Sequence, residues 1–341
     1  MSRTHKIESR VETPPPQCGP LSPHFPERIT SHLQSLIASD PDGRAGPVAR
    51  QFSASDLESI VNTNELADPL GEDTHTPVSR LVRKYDTRAV LLVTDTCAAH
   101  CRYCFRKTYT GGARGSVTND ELYAVCEYLA DHAEISELLL SGGDPLSLST
   151  LRLEEVLAAI RNCRADLVFR VCTRIPVVSP SMIGKPTIHV LRRYAPVWIV
   201  VQVNHPSELV APAAECVARF TESGIPVVSQ TVLLRGVNDE TEILAELFET
   251  LIARGVKPYQ LFQADLVPGT SHFRVPLERG VSIYESLKRT ISTLALPLYS
   301  VDAPGGGGKI PLGLTSLDRT DDGYYLLDGL DGEVYSYPIE R

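Results

Sequence analysis

Short apolar runs rich in β-branched residues alternate with longer stretches of helical spacing from residue 89 onward, and this alternation most constrains the fold. The strand-like runs are Ala89–Thr94, Leu138–Ser141, Leu167–Thr173, Val197–Val203, Pro226–Val232, Tyr259–Gln263 and Leu298–Asp302. The helical stretches are Asn119–Asp131, Leu151–Asn162, Ser181–Tyr194, Val210–Ser223, Glu240–Arg254 and Ser282–Leu294. This order indicates βαβ units and a parallel sheet. We therefore predict an α/β fold, a partial (β/α)6 TIM-like barrel with its functional residues at the carboxyl ends of the strands.

The segments on either side of this alternation predict two further parts of the chain. Residues 1–80 form an N-terminal extension, which begins Pro-rich (TPPPQCGPLSPHFP) and then becomes helix-leaning. The barrel domain is predicted over residues 81–312. The remaining residues, 313–341, form a short C-terminal tail with two β-like runs that indicate a small hairpin.

Composition argues against two classes of partner. The net charge is −9 and the pI is about 5.5, whereas a nucleic-acid-binding domain is typically basic. The N-terminus has no apolar signal segment, and the apolar run near Val197–Val203 is too short to span a bilayer. We therefore expect a cytoplasmic protein that binds neither nucleic acid nor membrane, with its eight cysteines mostly reduced.

Three cysteines, Cys97, Cys101 and Cys104, follow the first barrel strand in the stretch CAAHCRYC. Three thiolates on a [4Fe–4S] cluster leave one iron without a protein ligand, and an open metal position is typical of a catalytic site. A Cys₃His zinc site that includes His100 is the alternative. A non-catalytic iron–sulfur or zinc protein is therefore the rival class at this stage.

Two glycine-containing stretches also lie at predicted strand ends. In LLLSGGDPL the glycines permit close backbone approach and Asp144 could accept from an ammonium group, although a simple tight turn explains the same residues. DAPGGGGKIP does not match a phosphate-binding loop, because Ala303 and Ile310 stand where that motif needs Gly and Ser or Thr. Lys309 could instead form a Schiff base in the barrel mouth, or be an exposed loop lysine.

Taken together, several motifs resemble one family, the lysine 2,3-aminomutases of the radical S-adenosylmethionine superfamily. They are CRYCFRK, LLSGGDPL, TRIPVV, VNHPSE, QTVLLRGVND, QADLVPGTSHFRVP and DAPGGGGKIPL, in this order, and they cover residues 80–315. The resemblance implies an isomerase with a [4Fe–4S] cluster, S-adenosylmethionine and pyridoxal 5′-phosphate, which moves the α-amino group of L-lysine to Cβ. It also implies a reduced electron donor such as flavodoxin or ferredoxin.

The resemblance assigns roles residue by residue. Cys97, Cys101 and Cys104 bind the cluster, and Lys309 holds pyridoxal phosphate. The cofactor contacts are assigned to Arg88 and Arg174 (phosphate), to Ser141, Gly142, Gly143 and Asp144 (S-adenosylmethionine), and to Gln230. Arg106 binds the substrate carboxylate, and Asp265 and Asp302 hold the ε-ammonium group. The structural alternative for Asp302 is a cap on the turn before Pro304.

Three positions depart from the family pattern. Gln202 stands where histidine is common, Phe262 where tyrosine is usual, and Lys84 where an arginine often lies near the phosphate. Longer members carry a cysteine-rich C-terminal extension that this sequence lacks, so we expect a different assembly and leave a homo-oligomer open. The alternative substrates are arginine, as another basic amino acid, and a lysyl residue of a translation elongation factor.

Overall fold

The computed structural model describes residues 25–313 together with the backbone of three short strands beyond them, at 318–319, 324–328 and 334–338. The predicted Pro-rich stretch before residue 25 lies outside the described residues. The boundaries placed at residues 80 and 312 stay predictions.

Parallel strands joined by helices form the main body of the protein. The strands of the large sheet are β1 (Leu81–Tyr85), β2 (Arg88–Thr94), β3 (Glu137–Gly142), β4 (Val168–Thr173), β5 (Val197–Gln202), β6 (Val227–Leu233), β7 (Lys257–Gln263), β8 (Leu298–Ala303) and β9 (Gly308–Pro311). The helices are α1 (Ser31–Ser39), α2 (Pro47–Phe52), α3 (Asn119–Asp131), α4 (Thr150–Cys163), α5 (Ile175–Val178), α6 (Lys185–Arg193), α7 (Ala211–Glu222), α8 (Thr241–Ala253) and α9 (Leu277–Thr290). Strands β2 to β8 are parallel and lie side by side in sequence order, which confirms the predicted partial barrel.

Residue alternation along the strands explains why the sheet lies between a helical layer and an inner face. On β3 and β4, Leu138, Leu140, Phe169 and Val171 are fully buried in the core formed with the helices. Because successive strand residues point to opposite faces, the residues between them line the inside of the barrel. Inward-pointing polar side chains at the carboxyl ends of the strands therefore share the interior of the barrel.

Antiparallel strands at the two edges of the sheet were not predicted. Strand β1 pairs with β2, and β9 returns along β8, with Asp302 directly opposite Lys309. The backbone N–H of Lys309 donates to Tyr85 Oη across 3.1 Å, which links β9 to β1 and brings the two edges of the barrel together. The glycine run of DAPGGGGKIP is thus a hairpin turn between β8 and β9.

The last barrel helix differs from its prediction. It was expected at Ser282–Leu294, but α9 begins at Leu277, after Pro276. Gly280 lies inside the helix, where glycine is normally unfavourable. A Cβ at this position would lie 2.1 Å from Tyr299 Oη, so the glycine allows the helix to pack closely on β8.

The N-terminal extension reaches the end of the barrel formed by the carboxyl ends of the strands. After α1 and α2, residues 62–76, which we call the mouth segment, contact three parts of the barrel. Leu66 N donates to Leu266 O after β7, Gly305 N of the β8–β9 hairpin donates to Pro69 O, and Lys84 of β1 donates to Leu70 O. This segment was predicted only as a helix-leaning stretch.

The C-terminal tail contains a separate antiparallel sheet of β10 (Asp318–Arg319), β11 (Tyr324–Asp328) and β12 (Val334–Pro338). The pairing of β11 with β12 is the predicted hairpin. None of the helices in the described part of the chain has the length and apolar character needed to cross a membrane.

Candidate active site

The three motif cysteines lie in the loop that leaves the carboxyl end of β2. All three are free thiols and half-buried. Arg102, which lies between two of them, is buried and holds the loop by a bidentate ion pair with Glu58. The loop is thereby fixed at the end of the barrel where the sequence places the functional residues.

The chemistry of this thiol set suits an iron–sulfur cluster. Burial raises the pKa of Cys97, and burial together with Cys101 raises the pKa of Cys104 to about 11. The thiols are close enough to disfavour each other's ionisation, and the positive charge of a metal cluster is what stabilises such thiolates.

A single zinc ion fits this loop less well. Within the described residues, no group of His, Cys, Asp and Glu is arranged to hold one metal ion. A cluster does not require that arrangement, because each thiolate binds a different iron. His100, the fourth ligand of the zinc alternative, instead contacts Pro26 O through Nδ1 at 2.8 Å and stacks on Phe25.

The SGGD loop at the end of β3 packs directly on the start of the cysteine loop. A Cβ at Gly142 would lie 2.3 Å from Thr94 O, and a Cβ at Gly143 would lie 2.3 Å from Thr96 O. Gly142 also has φ of +111°, a conformation that glycine adopts readily. The glycines therefore allow close backbone approach, as predicted, but the observed neighbour is the protein's own backbone.

Asp144 accepts four hydrogen bonds from groups of the protein itself. Its Oδ1 accepts from Leu146 N at 3.0 Å and Thr173 Oγ1 at 2.7 Å, and its Oδ2 accepts from Arg174 N at 2.6 Å and Ile175 N at 3.2 Å. A carboxylate offers about four acceptor positions, and these donors use them. Asp144 thus joins the end of β3 to the end of β4. Its assignment as a cofactor contact stays a prediction.

Arg174, which the resemblance assigns to the cofactor phosphate, contacts the cysteine loop in this structure. Its guanidinium is buried, forms an ion pair with Glu208 at 2.8 Å, and donates to Tyr103 Oη at 2.5 Å and to Cys101 Sγ at 2.8 Å. The fixed ion pair places Arg174 beside the cysteine loop. Its assignment to the cofactor phosphate stays a prediction.

Lys309 and the two predicted aspartates lie together at the ends of β7, β8 and β9. Lys309 Nζ is 2.6 Å from Asp302 Oδ2 and 4.4 Å from the centre of the Phe262 ring. Asp265 and Asp302 both line a cavity of about 320 Å³ that the mouth segment also borders through Asn64 and Pro69. Burial and the neighbouring Asp302 raise the pKa of Asp265 to about 7.

Two cations and a tyrosine lie beside the Lys309 hairpin on the β1–β2 side. The Arg88 guanidinium lies 3.7 Å from the centre of the Tyr85 ring, and Tyr85 Oη accepts from Lys309 N. Lys84, one of the three departures, donates through Nζ to Leu70 O at 3.1 Å. Cationic side chains next to Lys309, the lysine predicted to hold the cofactor, suit a phosphate group. The predicted role of Arg88 stays a prediction.

Gln202 and Gln230 lie on the neighbouring strands β5 and β6. Gln202, which replaces the usual histidine, donates to Tyr103 Oη at 2.8 Å and so lies near Arg174. Gln230 lies half-buried next to it on β6, in register with Gln202. Its assignment as a cofactor contact stays a prediction.

Arg106 binds an acidic partner that the sequence analysis missed. It donates through Nε and Nη2 to Glu72 of the mouth segment, with an Nε–Oε2 distance of 2.8 Å, and through Nη1 to Ser141 Oγ at 3.0 Å. Ser141 was predicted to contact a cofactor, and in this structure it contacts Arg106. Only the acidic pair in DPLGED, directly after a turn, could have drawn attention to Glu72.

The fold and the three-cysteine loop are those of the radical S-adenosylmethionine enzymes, and the model of the Radical SAM superfamily matches residues 91–248. The L-lysine 2,3-aminomutase of Methanococcus maripaludis is 36% identical over 313 residues, which cover 92% of this chain and 72% of that protein. A Treponema pallidum protein provisionally given the same name is 39% identical over 318 residues, which cover 92% of this chain and 90% of that protein. The glutamate 2,3-aminomutase of Clostridioides difficile is 32% identical over 306 residues, covering 90% and 72%.

This chain belongs to the lysine 2,3-aminomutase family. It is therefore an isomerase, and its cofactors are a [4Fe–4S] cluster, S-adenosylmethionine and pyridoxal phosphate. The non-catalytic metal protein considered from the sequence is excluded.

Proposed function

We propose that this enzyme acts on free L-lysine and moves its α-amino group to Cβ, giving β-lysine. The observation that carries the proposal is the presence of two carboxylates, Asp265 and Asp302, on one cavity beside Lys309. The site offers opposite charges to the two ends of an amino acid with a cationic side chain. These are the aspartates at one end and Arg106 at the other.

The two aspartates favour a cationic side chain over a neutral or anionic one. A unit charge pair separated by about 4 Å contributes about 4 kcal/mol at an effective dielectric constant of 20. Asp302 already binds a primary ammonium group, that of Lys309, at 2.6 Å. An anionic side chain such as that of glutamate would instead be repelled by both carboxylates.

Arg106 supplies the complementary group for the substrate carboxylate. A guanidinium binds a planar carboxylate through two parallel hydrogen bonds, which fixes orientation as well as position. The substrate would then be held at both ends, and its α and β carbons would lie between the cysteine loop and the β8–β9 hairpin. Such two-point binding keeps the reacting carbons in one orientation during the shift.

Lys309 would hold pyridoxal phosphate, with Arg88 and Lys84 on the phosphate side. When bound, this cofactor would supply a π system that accepts the unpaired electron while the nitrogen moves from Cα to Cβ, and the cluster with S-adenosylmethionine would supply the initiating radical. The protein's own residues would bind, orient and enclose the substrate and these cofactors. A reduced protein such as flavodoxin or ferredoxin would deliver the electron to the cluster.

The mouth segment supports a small substrate over a lysyl residue of a protein. It borders the cavity next to both aspartates and is attached to three barrel elements. A folded protein partner would need to displace it. Arginine also has a cationic side chain, but its planar guanidinium makes that side chain longer than that of lysine. Assaying both amino acids with the same enzyme distinguishes the two as substrates.

The test is anaerobic reconstitution of the full chain with iron, sulfide and pyridoxal phosphate. The reconstituted protein is then assayed with S-adenosylmethionine, a reductant and a single substrate. We expect β-lysine from L-lysine, and much slower conversion of L-arginine or L-glutamate, by chromatography of the derivatised amino acids. Conversion of a lysine-bearing elongation factor with no β-lysine from free lysine would refute the proposal.

A further inference from the structure

We propose that Glu72 is a positioning residue for the reaction: it holds the Arg106 guanidinium in the orientation that receives the substrate carboxylate. This inference rests on the proposed function and concerns a residue outside the recognised motifs. It is carried by the geometry of one buried ion pair and by the way Glu72 is held in place.

Among the described residues, the partners of Arg106 use three of its five N–H groups. Glu72 occupies the edge formed by Nε and Nη2, and Ser141 Oγ accepts from Nη1 at 3.0 Å. Of the five N–H groups, three are thus used, and one remains on each of Nη1 and Nη2. Two N–H groups on neighbouring nitrogens match the two oxygens of a carboxylate.

Burial explains why Arg106 needs a permanent partner. Its side chain is 12% exposed and that of Glu72 is 19% exposed. Burial alone would lower the pKa of Arg106, and the charge of Glu72 keeps that pKa above its ordinary value. An unpaired charge at such a site is strongly unfavourable, so Glu72 allows the arginine to stay in the mouth when no substrate is bound.

Glu72 is itself fixed relative to the cofactor lysine. Its backbone N–H donates to Asp68 Oδ1 at 2.9 Å. Between Asp68 and Glu72, Pro69 O accepts from Gly305 N of the β8–β9 hairpin at 3.0 Å. The same short turn therefore contacts Arg106 through a side chain and the Lys309 hairpin through its backbone. It links the carboxylate end of the site to the cofactor end.

A competing interpretation makes Glu72 a stand-in for the substrate carboxylate, which the substrate must displace. The two interpretations predict opposite effects when the negative charge is removed. A stand-in that is removed strengthens lysine binding, whereas a positioning residue that is removed weakens it. The N–H groups that remain on Nη1 and Nη2 while Glu72 is bound favour the positioning role.

The experiment compares Glu72→Gln and Glu72→Asp with a matched control, Glu65→Gln. Glu65 lies on the same mouth segment and forms another buried ion pair, with Arg274, without touching Arg106. Two ligands are titrated into the enzyme loaded with pyridoxal phosphate, and cofactor absorbance reports binding. L-lysine has the carboxylate, and L-lysinamide lacks it. Turnover of L-lysine is measured in parallel.

We expect Glu72→Gln to weaken L-lysine binding and raise KM by about tenfold or more, equivalent to about 1.4 kcal/mol, with little change for lysinamide. Glu72→Asp keeps the charge and should show the same selective loss, but smaller. Glu65→Gln should affect both ligands equally or not at all.

Three outcomes would overturn the inference. They are tighter lysine binding by Glu72→Gln, an equal loss of affinity for lysine and lysinamide in that variant, and the same selective loss of lysine affinity in Glu65→Gln. If Glu72→Gln does not load its cofactors, an unchanged ratio of lysine to lysinamide affinity in Glu72→Asp overturns it instead. Turnover of lysine by the unmodified enzyme is established first. Its absence would refute the proposed function, whereas lysine turnover combined with an unaltered Glu72→Gln would refute only the role of Glu72.

Discussion

Lys309 and Asp302 face each other across the β8–β9 hairpin, with Nζ 2.6 Å from Oδ2. The residue assigned to the cofactor and a residue assigned to the substrate are thus directly paired. Asp302 can therefore pair with a primary ammonium group at this position, which is the chemistry that the ε-ammonium of lysine would also offer.

Asp302→Asn should lower kcat/KM for L-lysine by at least about a hundredfold. The change removes one of two carboxylates at a largely buried position, where breaking an ion pair costs about 3–5 kcal/mol. Each 1.4 kcal/mol is about tenfold in rate. Steady-state kinetics with lysine measure the effect. Asp166→Asn changes an exposed acid far from the cavity in the fold and serves as the control. A kcat/KM within about threefold of the unmodified enzyme would contradict the role of Asp302.

The affinity for lysine should increase as pH rises through about 7, because Asp265 titrates in that range. Its pKa is raised to about 7 by burial and by Asp302, so the carboxyl is largely neutral at pH 6 and ionised at pH 8. Only the ionised form attracts the ε-ammonium group. Binding of lysine measured between pH 6 and 8 should show this rise, and Asp265→Asn should remove it. If the variant retained the same pH dependence, another group would have to be responsible.

Lys309→Ala should lose the absorbance of covalently held pyridoxal phosphate while keeping the iron–sulfur chromophore. The two cofactors depend on different elements, the β8–β9 hairpin and the loop after β2. Borohydride treatment followed by mass spectrometry identifies the modified lysine. Lys257→Ala is the control, since Lys257 lies at the opposite end of β7 and donates to the backbone carbonyls of Pro258 and Leu296. Covalent fixation in Lys309→Ala would mean that a different lysine holds the cofactor.

Replacing Cys97, Cys101 or Cys104 by alanine should abolish reductive cleavage of S-adenosylmethionine, because one iron loses its protein ligand. Iron content and the formation of 5′-deoxyadenosine are the measurements. Cys216→Ala, at a buried position on α7, should keep both. So should Cys172→Ala on β4. Loss of iron in either control would show that the ligands are wrongly assigned.

The fold was predictable because its signals are local. Strand and helix patterns repeat within short windows, so β2 to β8 lie within a few residues of their predicted positions. The departures have tertiary causes. Gly280 is helical because it packs against Tyr299, and β9 forms because the glycine run folds back on β8. Neither contact can be read from neighbouring residues.

Site residues could be assigned from the sequence where a short motif contains them. Contacts between residues far apart in the sequence could not. Cys97, Cys101, Cys104 and Lys309 are assigned by short patterns. By contrast, Arg106 and Glu72 are 34 residues apart, and Arg174 and Cys101 are 73 apart. A buried arginine requires an anionic or polar partner, but which residue is that partner depends on the three-dimensional structure.

The attachment of the mouth segment to the barrel has a consequence for recombining members of this family. A chimera joined near residue 80 would take Glu72, Asp68 and Pro69 from one parent, and Arg106 and the glycine hairpin from the other. Such a protein could retain every motif residue and still misalign its substrate. For grafting or shuffling, the unit to be inherited together therefore begins before residue 62 and includes the barrel through Pro311.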